Sequence, residues 1–424
     1  MVPHLVTALT GPINELEQRI LESLPATERW FRLEWMEHTP PFYTAVDVRN
    51  AGFKLAPVET DLFPTGFATL TDRMLPLAVQ AAMAAIEKIC PEAKNLLLVP
   101  GPDTGEPTFG PNLARLIEIF TQAGLNVRLG SIDPAAAGSI ELPDGTVLRV
   151  DPLIRQRGRV GVKDFDPCTI LLNHDLAGGV PASLQSLHEQ YLLPPLHAGW
   201  TVRRRSRHFH AYEEVAKKFA KLLGMDPWLI NPMVAAVGSV DLGSRAGLDA
   251  LQSQADALLQ KARRKYKEYG IAEKAFVVVR LNQGHAQDDG GVVSVRDVKD
   301  LGDAAVRLAP AGGPVELIVQ EGLSTIERID DAPAEPMVMM IDRYVVGGGY
   351  RIHPGRSGDE PLHGSGARTV PLVFADSGTL PRLGERPGAN APNRFYMYGV
   401  VARLAMLAAA YELEATDPEA ENYE

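Results

Sequence analysis

Residues 315–353 read VELIVQEGLSTIERIDDAPAEPMVMMIDRYVVGGGYRIH, and the pattern of this stretch decides the fold. Two runs rich in β-branched and apolar residues, Val315–Val319 and Met337–Val346, flank a short acidic connection at Asp330-Asp331-Ala332-Pro333. Runs of this kind, bounded by Pro, Asp and Gly, read as adjacent strands of one antiparallel sheet. Charged residues interrupt them at Glu321, Glu327, Asp342, Arg343 and Arg351. A half-buried strand alternates faces with a period of two, which predicts Asp342 and Met340 on one face and Met339 and Ile341 on the other. A carboxylate or a guanidinium on an apolar sheet face is costly unless something pairs with it. Internal ion pairs answer that need, or an anionic ligand with a divalent metal does.

Upstream, KAFVVVRL (274–281) reads as a buried strand, NQGHAQDDGG (282–291) as a flexible loop and VVSV (292–295) as a returning strand. Strand, Gly-rich loop and strand are how a flap over a nucleotide's phosphates is built. A helix spans 297–308, and a longer one spans 241–269 with Leu248, Leu251, Ala255, Leu258, Ala262 and Tyr266 at helical spacing and Gly270 as its stop. That long helix is expected to separate two halves of the chain. Downstream lies HPGRSGDEPLHGSGARTVPLVF, with Asp359, Glu360 and His363 close to Gly364 and Gly366. The stretch NRFYMYGVVARLAMLAAAYELE (393–414) reads as a helix apolar nearly all round, hence buried against a sheet. The acidic tail ATDPEAENYE is expected to be disordered.

The N-terminal half has a different rhythm. A helix over INELEQRILESL is followed by the aromatic, charged passage FYTAVDVRNAGFKLAPVETDLFPTGF, read as a loop lining a site, and by a helix over 73–89. NLLLVP (95–100), a helix ended by Gly124 and NVRLGSI (126–132) form a βαβ unit, which implies a parallel sheet. Its Gly- and Pro-rich loop GPDTGEPTFGPN stands where ligands sit in α/β folds but matches no phosphate-loop spacing. Residues 139–150 read as a hairpin turning at Pro143-Asp144-Gly145, and CTILLNHDL (168–176) as a strand leading into a helix near Pro181. Arg203, Arg204, Arg205 and Arg207 precede a helix with Tyr212, Val215, Phe219 and Leu222 as its stripe. Guanidinium forks match carboxylates and phosphates, and an exposed, locally paired cluster is the other reading.

At 424 residues, with 45% hydrophobic and 22% charged residues, the chain can bury a sizeable core in two or three domains. A net charge of −11 argues against nucleic acid as a partner. Two cysteines, Cys90 and Cys168, are too few for a disulfide framework or a Cys-rich zinc site, and their places at the edges of apolar segments predict buried packing. The N-terminus lacks the pattern of a signal peptide and no run is long enough to span a membrane, so the expected location is the cytoplasm.

The order of these pieces resembles the proteobacterial-type glutamate–cysteine ligases, whose C-terminal half looks like an ATP-grasp domain. The stretches that carry the resemblance are FYTAVDVRNAGFKLAPVETDLFPTGF, PPLHAGW with the arginines behind it, MDPWLINP, IVQEGLSTIE, MIDRYVVGGGYRIH and NRFYMYGVVARLAMLAAA. It implies an α/β fold: an N-terminal substrate-binding domain with a parallel sheet over 1–238 and an ATP-grasp-like α+β domain over 239–424. It also implies ATP and Mg2+ as cofactors, and glutamate, cysteine or a related amine as small-molecule substrates. Neither nucleic acid nor membrane is expected as a partner, and the oligomeric state is left open, a homo-oligomer included. The resemblance places Asp342, Glu360 and His363 at the metal, and Arg351 and Arg280 at the transferring phosphoryl group. Asn282 and Gly284 fall in the flap, and Gln320 and Glu321 at the adenine hinge. Arg49, Asn50, Lys54, Arg203, Arg204 and Arg205 would hold substrate carboxylates. Three places depart from the family pattern: the strand before the flap ends Arg280-Leu281-Asn282 where the family has a lysine, and runs into a longer flap with Asp288 and Asp289; the loop GPDTGEPTFGPN keeps little of the Glu, His, Arg and Asn that the family carries there; and Pro361 and His363 replace asparagines. They support a second reading, a repurposed paralogue that binds an amino acid or nucleotide without ligating.

Overall fold

A computed structural model describes residues 5–6, 12–102, 105–187, 189–284, 291–309, 312–372, 381, 384 and 391–420. Most of the flap loop, with Asp288 and Asp289, lies outside the described residues, as do the last four residues of the tail. The described chain is mixed α/β, with three main sheets.

The first sheet holds five parallel strands in the order Tyr191–Leu193, Thr169–Asn173, Asn95–Pro100, Asn126–Ser131 and Val147–Pro152, with Gly138–Glu141 antiparallel at its edge. The βαβ unit is built as its sequence implies. The helix Phe109–Gln122 buries Leu113, Leu116, Ile119 and Phe120, and Gly124 follows at φ 94°. The hairpin turns at Gly145, whose φ of 84° suits a residue without Cβ. The helix expected near Pro181 is only the short 3-10 turn Ala182–Leu184. No apolar stripe of helical period follows it, so nothing offsets the cost of helix nucleation.

The second sheet is antiparallel, in the order Val234–Asp241, Pro314–Glu321, Val277–Leu281 and Val292–Val295. Behind it packs the helix Arg245–Glu268, which buries Leu251, Ala255, Leu258, Ala262 and Tyr266. Ser244 caps that helix by accepting from the Gly247 N–H at 3.0 Å.

The third sheet draws on both ends of the chain. Tyr43–Asn50 and Leu55–Asp61 join Ala332–Ile341, Tyr344–Ile352 and Arg368–Pro371. It thereby ties together the two domains expected on either side of residue 238. The helix Ala391–Ala415 lies on Tyr43–Asn50, Leu55–Asp61 and Ala332–Ile341, and also packs on the helices Arg205–Leu223 and Pro12–Glu22. It is surrounded, which accounts for a sequence apolar nearly all round: Val400, Leu404 and Leu407 are fully buried, each contributing about 2 kcal/mol. On Arg205–Leu223, Tyr212, Val215 and Phe219 are buried as the stripe requires, while Leu222 in the last turn is 42% exposed.

The opening stretch folds differently from its simplest reading. Val315–Val319 lies inside the second sheet, whereas Met337–Val346 belongs to the third, so the two runs are not neighbours. Nor is the second run one strand. It is a hairpin, Ala332–Ile341 and Tyr344–Ile352, that turns at Asp342 with φ 49°. Two packing facts explain this. Gly322, at the end of the first run, sits so tightly on Phe276 that a Cβ there would lie 2.2 Å from the ring, which fixes the chain's exit from the second sheet. Gly348 lets the hairpin close, since its Cβ would lie 2.2 Å from the Met337 carbonyl oxygen. The Asp342 side chain is therefore in a turn and does not share a face with Met340.

Candidate active site

Period-two alternation in the third sheet gathers charge on one face. Asp47 stands opposite Glu59 on the neighbouring strand, and Glu335 stands opposite Arg351. Arg49, two residues from Asp47 and hence on its face, donates from Nε to Glu335 at 2.6 Å. Arg351 donates from Nη1 to Asp47 at 2.5 Å and to Glu335 at 3.4 Å. His363, on the loop after Ile352, brings Nε2 to 3.3 Å from Asp47 and 3.9 Å from Glu335. Asp47 and Glu335 are buried and His363 is half-exposed, so the cluster opens to solvent on the side of its loop. Asp47, Glu335 and His363 offer ligand atoms within 4.8 Å of one another, a spacing that suits one cation.

The electrostatics follow from burial and partners. Burial alone would raise the Asp47 carboxyl, but Arg351 and His363 outweigh it and hold it down to about 2. Burial works against the Arg351 guanidinium, and Asp47 and Glu335 more than reverse this, so its pKa is raised. These groups stay charged across the physiological range.

The edge of the second sheet meets this face. Arg280 pairs with Glu59 and donates to the Val58 carbonyl at 2.8 Å. Arg205 shares Glu59 at 2.9 Å and reaches the Leu281 carbonyl at 3.0 Å. Burial lowers the Arg205 guanidinium to about 10, against the pull of Glu59, so it too remains a cation at neutral pH. Two buried donors here have no partner, Nε of Arg280 and Nε2 of Gln320. Unmet donors next to a charged cluster are what an oxyanion would satisfy.

The loop with His363 is held in place from three directions. Arg49 donates to the carbonyls of Glu360 at 2.6 Å and Leu323 at 2.8 Å. The Thr325 N–H donates to the Gly358 carbonyl at 2.9 Å. From the second sheet, Ser294 donates to the Asp359 carbonyl at 3.1 Å and Arg296 pairs with the Asp359 carboxylate.

Of the residues singled out from sequence, Arg49, Arg351 and His363 meet in one cluster, with Arg280 and Gln320 at its edge. The carboxylate of Glu360 turns away, accepting from Ser357 Oγ at 2.7 Å and from the Ser357 N–H at 2.8 Å. Asp342 lies at the far end of its strand, roughly 16 Å along from Met337 at ~3.3 Å per residue, and pairs with Lys88 at 2.6 Å. Lys54 is buried against Glu321 at 2.6 Å and over the Trp228 ring at 4.3 Å. Burial lowers its pKa to about 8, in spite of Glu321. The Glu321 carboxylate also accepts from Trp228 Nε1 at 3.1 Å and from the Met233 N–H at 3.2 Å. Arg203 pairs with Glu412 at 3.2 Å and Arg204 with Glu316 at 2.9 Å. Asn50 faces the other side of the sheet, donating to Glu327 at 3.0 Å. Asn282 accepts from the Ser206 N–H at 2.9 Å, fastening the start of the arginine helix, and Gly284 has φ 76°. A surface hollow bordered by Ile117, Arg128, Arg149 and Lys163 lies on the parallel sheet and contains none of these residues.

Sequence reasoning missed Asp47 and Glu335, and saw Glu59 only as one charge of a passage expected to line a site. A signal existed for the first: in TAVDVRN the charged residues stand two apart among β-branched neighbours, the mark of a strand.

A family model described as GshA, glutamate-cysteine ligase, matches residues 17–413. The chain belongs to the glutamate-cysteine ligase family. A crystal structure from Methylobacillus flagellatus KT, whose description as a gamma-glutamylcysteine synthetase is itself provisional, superposes with a TM-score of 0.89 at 45% identity. It covers 98% of this chain and 100% of its own. Two ligase-like structures are far more distant. The D-alanyl-alanine synthetase A of Vibrio cholerae O1 biovar eltor str. N16961 scores 0.34 at 13% identity, covering 73% of this chain and 81% of its own. A glutathione synthetase-like effector from Globodera pallida in its apoform scores 0.32 at 11% identity, covering 81% and 77%. At those scores neither bears on the site. No curated protein matches the chain. Membership of the glutamate-cysteine ligase family makes this a carboxylate–amine ligase. Among the described residues, no helix is long and apolar enough to cross a membrane.

Proposed function

We propose that the protein joins the γ-carboxylate of glutamate to the amine of cysteine, using ATP and magnesium and passing through an acyl phosphate. The observation that carries the reading is the buried Asp47–Glu335 pair, with Arg351 and His363 on it and the unmet donors of Arg280 and Gln320 beside it. The donor set fits the metal. Carboxylate oxygens suit a hard cation that keeps part of its water, and the half-exposed side leaves room for that water. Asp47 and Glu335 would hold magnesium, with His363 as a poorer, outer ligand; Asp342, held by Lys88, is left out. Magnesium when bound supplies charge neutralisation at the phosphates.

Each protein group then has a task. Arg280 and Gln320 direct N–H donors at phosphoryl oxygens, and Arg351 turns part of its donor set from Asp47 to the transferring group. Arg49 fixes Glu335 and ties the Gly358–Glu360 segment to Leu323. The contacts of Ser294 and Arg296 with Asp359 draw the second sheet over the cluster, keeping water from the acyl phosphate. Arg203, Arg204 and Lys54 already serve protein carboxylates and are not offered to substrate.

The test is purified protein with glutamate, cysteine and MgATP, assayed for phosphate and dipeptide. Phosphate release that needs both amino acids supports the proposal. In calorimetric titrations, binding of an amino acid or of MgATP without turnover would favour the repurposed paralogue, and no turnover with no binding of either would end both readings.

A further inference from the structure

Cys90 and Cys168 were expected to be buried, at the edges of apolar segments. They are instead half-exposed and in contact, with their sulfurs 3.1 Å apart, although 78 positions separate them in sequence. That is about 1 Å beyond the ~2.05 Å of a disulfide bond. Cys90 ends the helix Leu75–Ile89, and Cys168 immediately precedes the strand Thr169–Asn173. Neither backbone is free to drift. The Cys90 N–H donates to Ile86 at 2.8 Å, and the Cys90 carbonyl accepts from Ala93 at 2.9 Å. The Cys168 carbonyl accepts from Tyr191 at 2.8 Å. Asn95 Nδ2 reaches the Asp166 carbonyl at 3.2 Å, and Thr169 stands in register with Leu96, so the chain that follows Cys90 is tied to both flanks of Cys168.

We infer that Cys90 and Cys168 are a reversible disulfide site, formed within one chain by exchange with a low-molecular-weight disulfide. The Cys90 thiol donates to the Cys168 sulfur, and this hydrogen bond raises the Cys90 pKa. Cys168 is therefore the sulfur that attacks first. Its thiolate bonds to one sulfur of the small disulfide and expels the other as a thiolate. Cys90 then loses its proton, its thiolate attacks the Cys168 sulfur, and the second small thiolate leaves. The two cysteines are oxidised and the small disulfide is reduced to two thiols, so atoms and electrons balance.

The bond would fasten the C-terminal end of the helix to the N-terminal end of an inner strand of the parallel sheet. Lys88, two residues before Cys90, pairs with Asp342 at the turn of the hairpin that carries Glu335 and Arg351, so the fastening extends from the parallel sheet to the third sheet. Closing a loop of this length constrains the unfolded chain, and the expected rise in thermal midpoint is on the order of 5 °C.

The full chain is equilibrated in glutathione buffers of rising oxidised fraction. Free thiols after denaturation, intact mass and melting midpoint are read together. Both thiols should vanish in one step, the mass should fall by two hydrogens with no glutathione retained, and the midpoint should rise. C90S and C168S should each keep a single thiol or its glutathione adduct and melt at a temperature independent of the buffer. Two thiols that survive the most oxidising buffer, an adduct as the end state of the parent, a bond between two chains, or a redox-dependent midpoint in either serine variant would each overturn the inference.

Discussion

Asp47→Asn isolates the charge at the centre of the cluster. Asparagine keeps the shape and leaves Arg351 and His363 facing a neutral amide. The Asp47 carboxyl is held at about 2 against an ordinary 3.8, a difference worth about 2 kcal/mol at neutral pH. Because the folded value lies below the unfolded one, this stabilisation is fully present above pH 4 and is lost as pH falls through about 2. Removing one partner of a buried pair costs roughly 3–5 kcal/mol when the other is stranded. Here Glu335 remains 3.4 Å from Arg351, so the loss should stay near 2 kcal/mol. Urea unfolding of both proteins from pH 2 to pH 7 should show a gap that is constant above pH 4 and closes toward pH 2. Turnover should fall on the order of a hundredfold or more, since the same carboxylate is proposed to hold the metal. Equal stability at pH 7, or a gap that does not narrow in acid, would refute the electrostatic account. Unchanged turnover would refute the catalytic one.

Arg351→Ala should abolish turnover while an unchanged near-ultraviolet circular dichroism spectrum shows the fold intact; a lost thermal transition would make Arg351 a structural residue. Lys54→Met strands the buried Glu321 carboxylate and should cost roughly 3–5 kcal/mol in denaturant unfolding, whereas the double change with Glu321→Met should recover most of that. Burial raises the Glu327 carboxyl to about 7, against Asn50 and Arg394, so its folded value lies above its unfolded one. The parent therefore loses stability as pH climbs from 4.5 to 7, and Glu327→Gln should gain on it by about 2–3 kcal/mol between pH 5 and pH 8 in paired unfolding curves.

The fold was legible where a pattern is local. The βαβ unit, the Pro143-Asp144-Gly145 hairpin, the Arg245–Glu268 helix and the buried closing helix each follow from periodicity and end signals within one segment. What a period cannot show is which sheet a strand joins. Val315–Val319 and Met337–Val346 look alike, yet one pairs with Val277–Leu281 and the other with Tyr43–Asn50, nearly 300 residues upstream. The site depended on that pairing. Arg351 and His363 could be picked out as isolated charges, but Asp47 and Glu335 become partners only through the long-range register. Glu335 was hidden further by its place in sequence, between the acidic connection that ends at Pro333 and the apolar run that begins at Met337. In the structure Pro336 is paired beside Tyr344–Ile352, at a point the Tyr43–Asn50 strand does not reach. The four arginines were visible as a cluster, but the glutamates that engage Arg203, Arg204 and Arg205 come from three distant elements.

The charge count shows that the carboxylates of this sheet face are compensated by the protein's own arginines. Asp47, Glu59, Asp61 and Glu335 stand against Arg49, Arg205, Arg280 and Arg351, so four negative charges meet four positive ones and the group is balanced. A bare divalent cation would leave a positive excess on this balanced face, and would have to displace the Arg351 guanidinium from between two carboxylates. A magnesium–triphosphate complex is a net anion. It brings its own counter-charge, and it gives Arg351 oxyanions in exchange for the carboxylates that the cation takes. The same arginines that hold this face together thus favour the metal arriving with the nucleotide, and leave little to be gained from the metal alone.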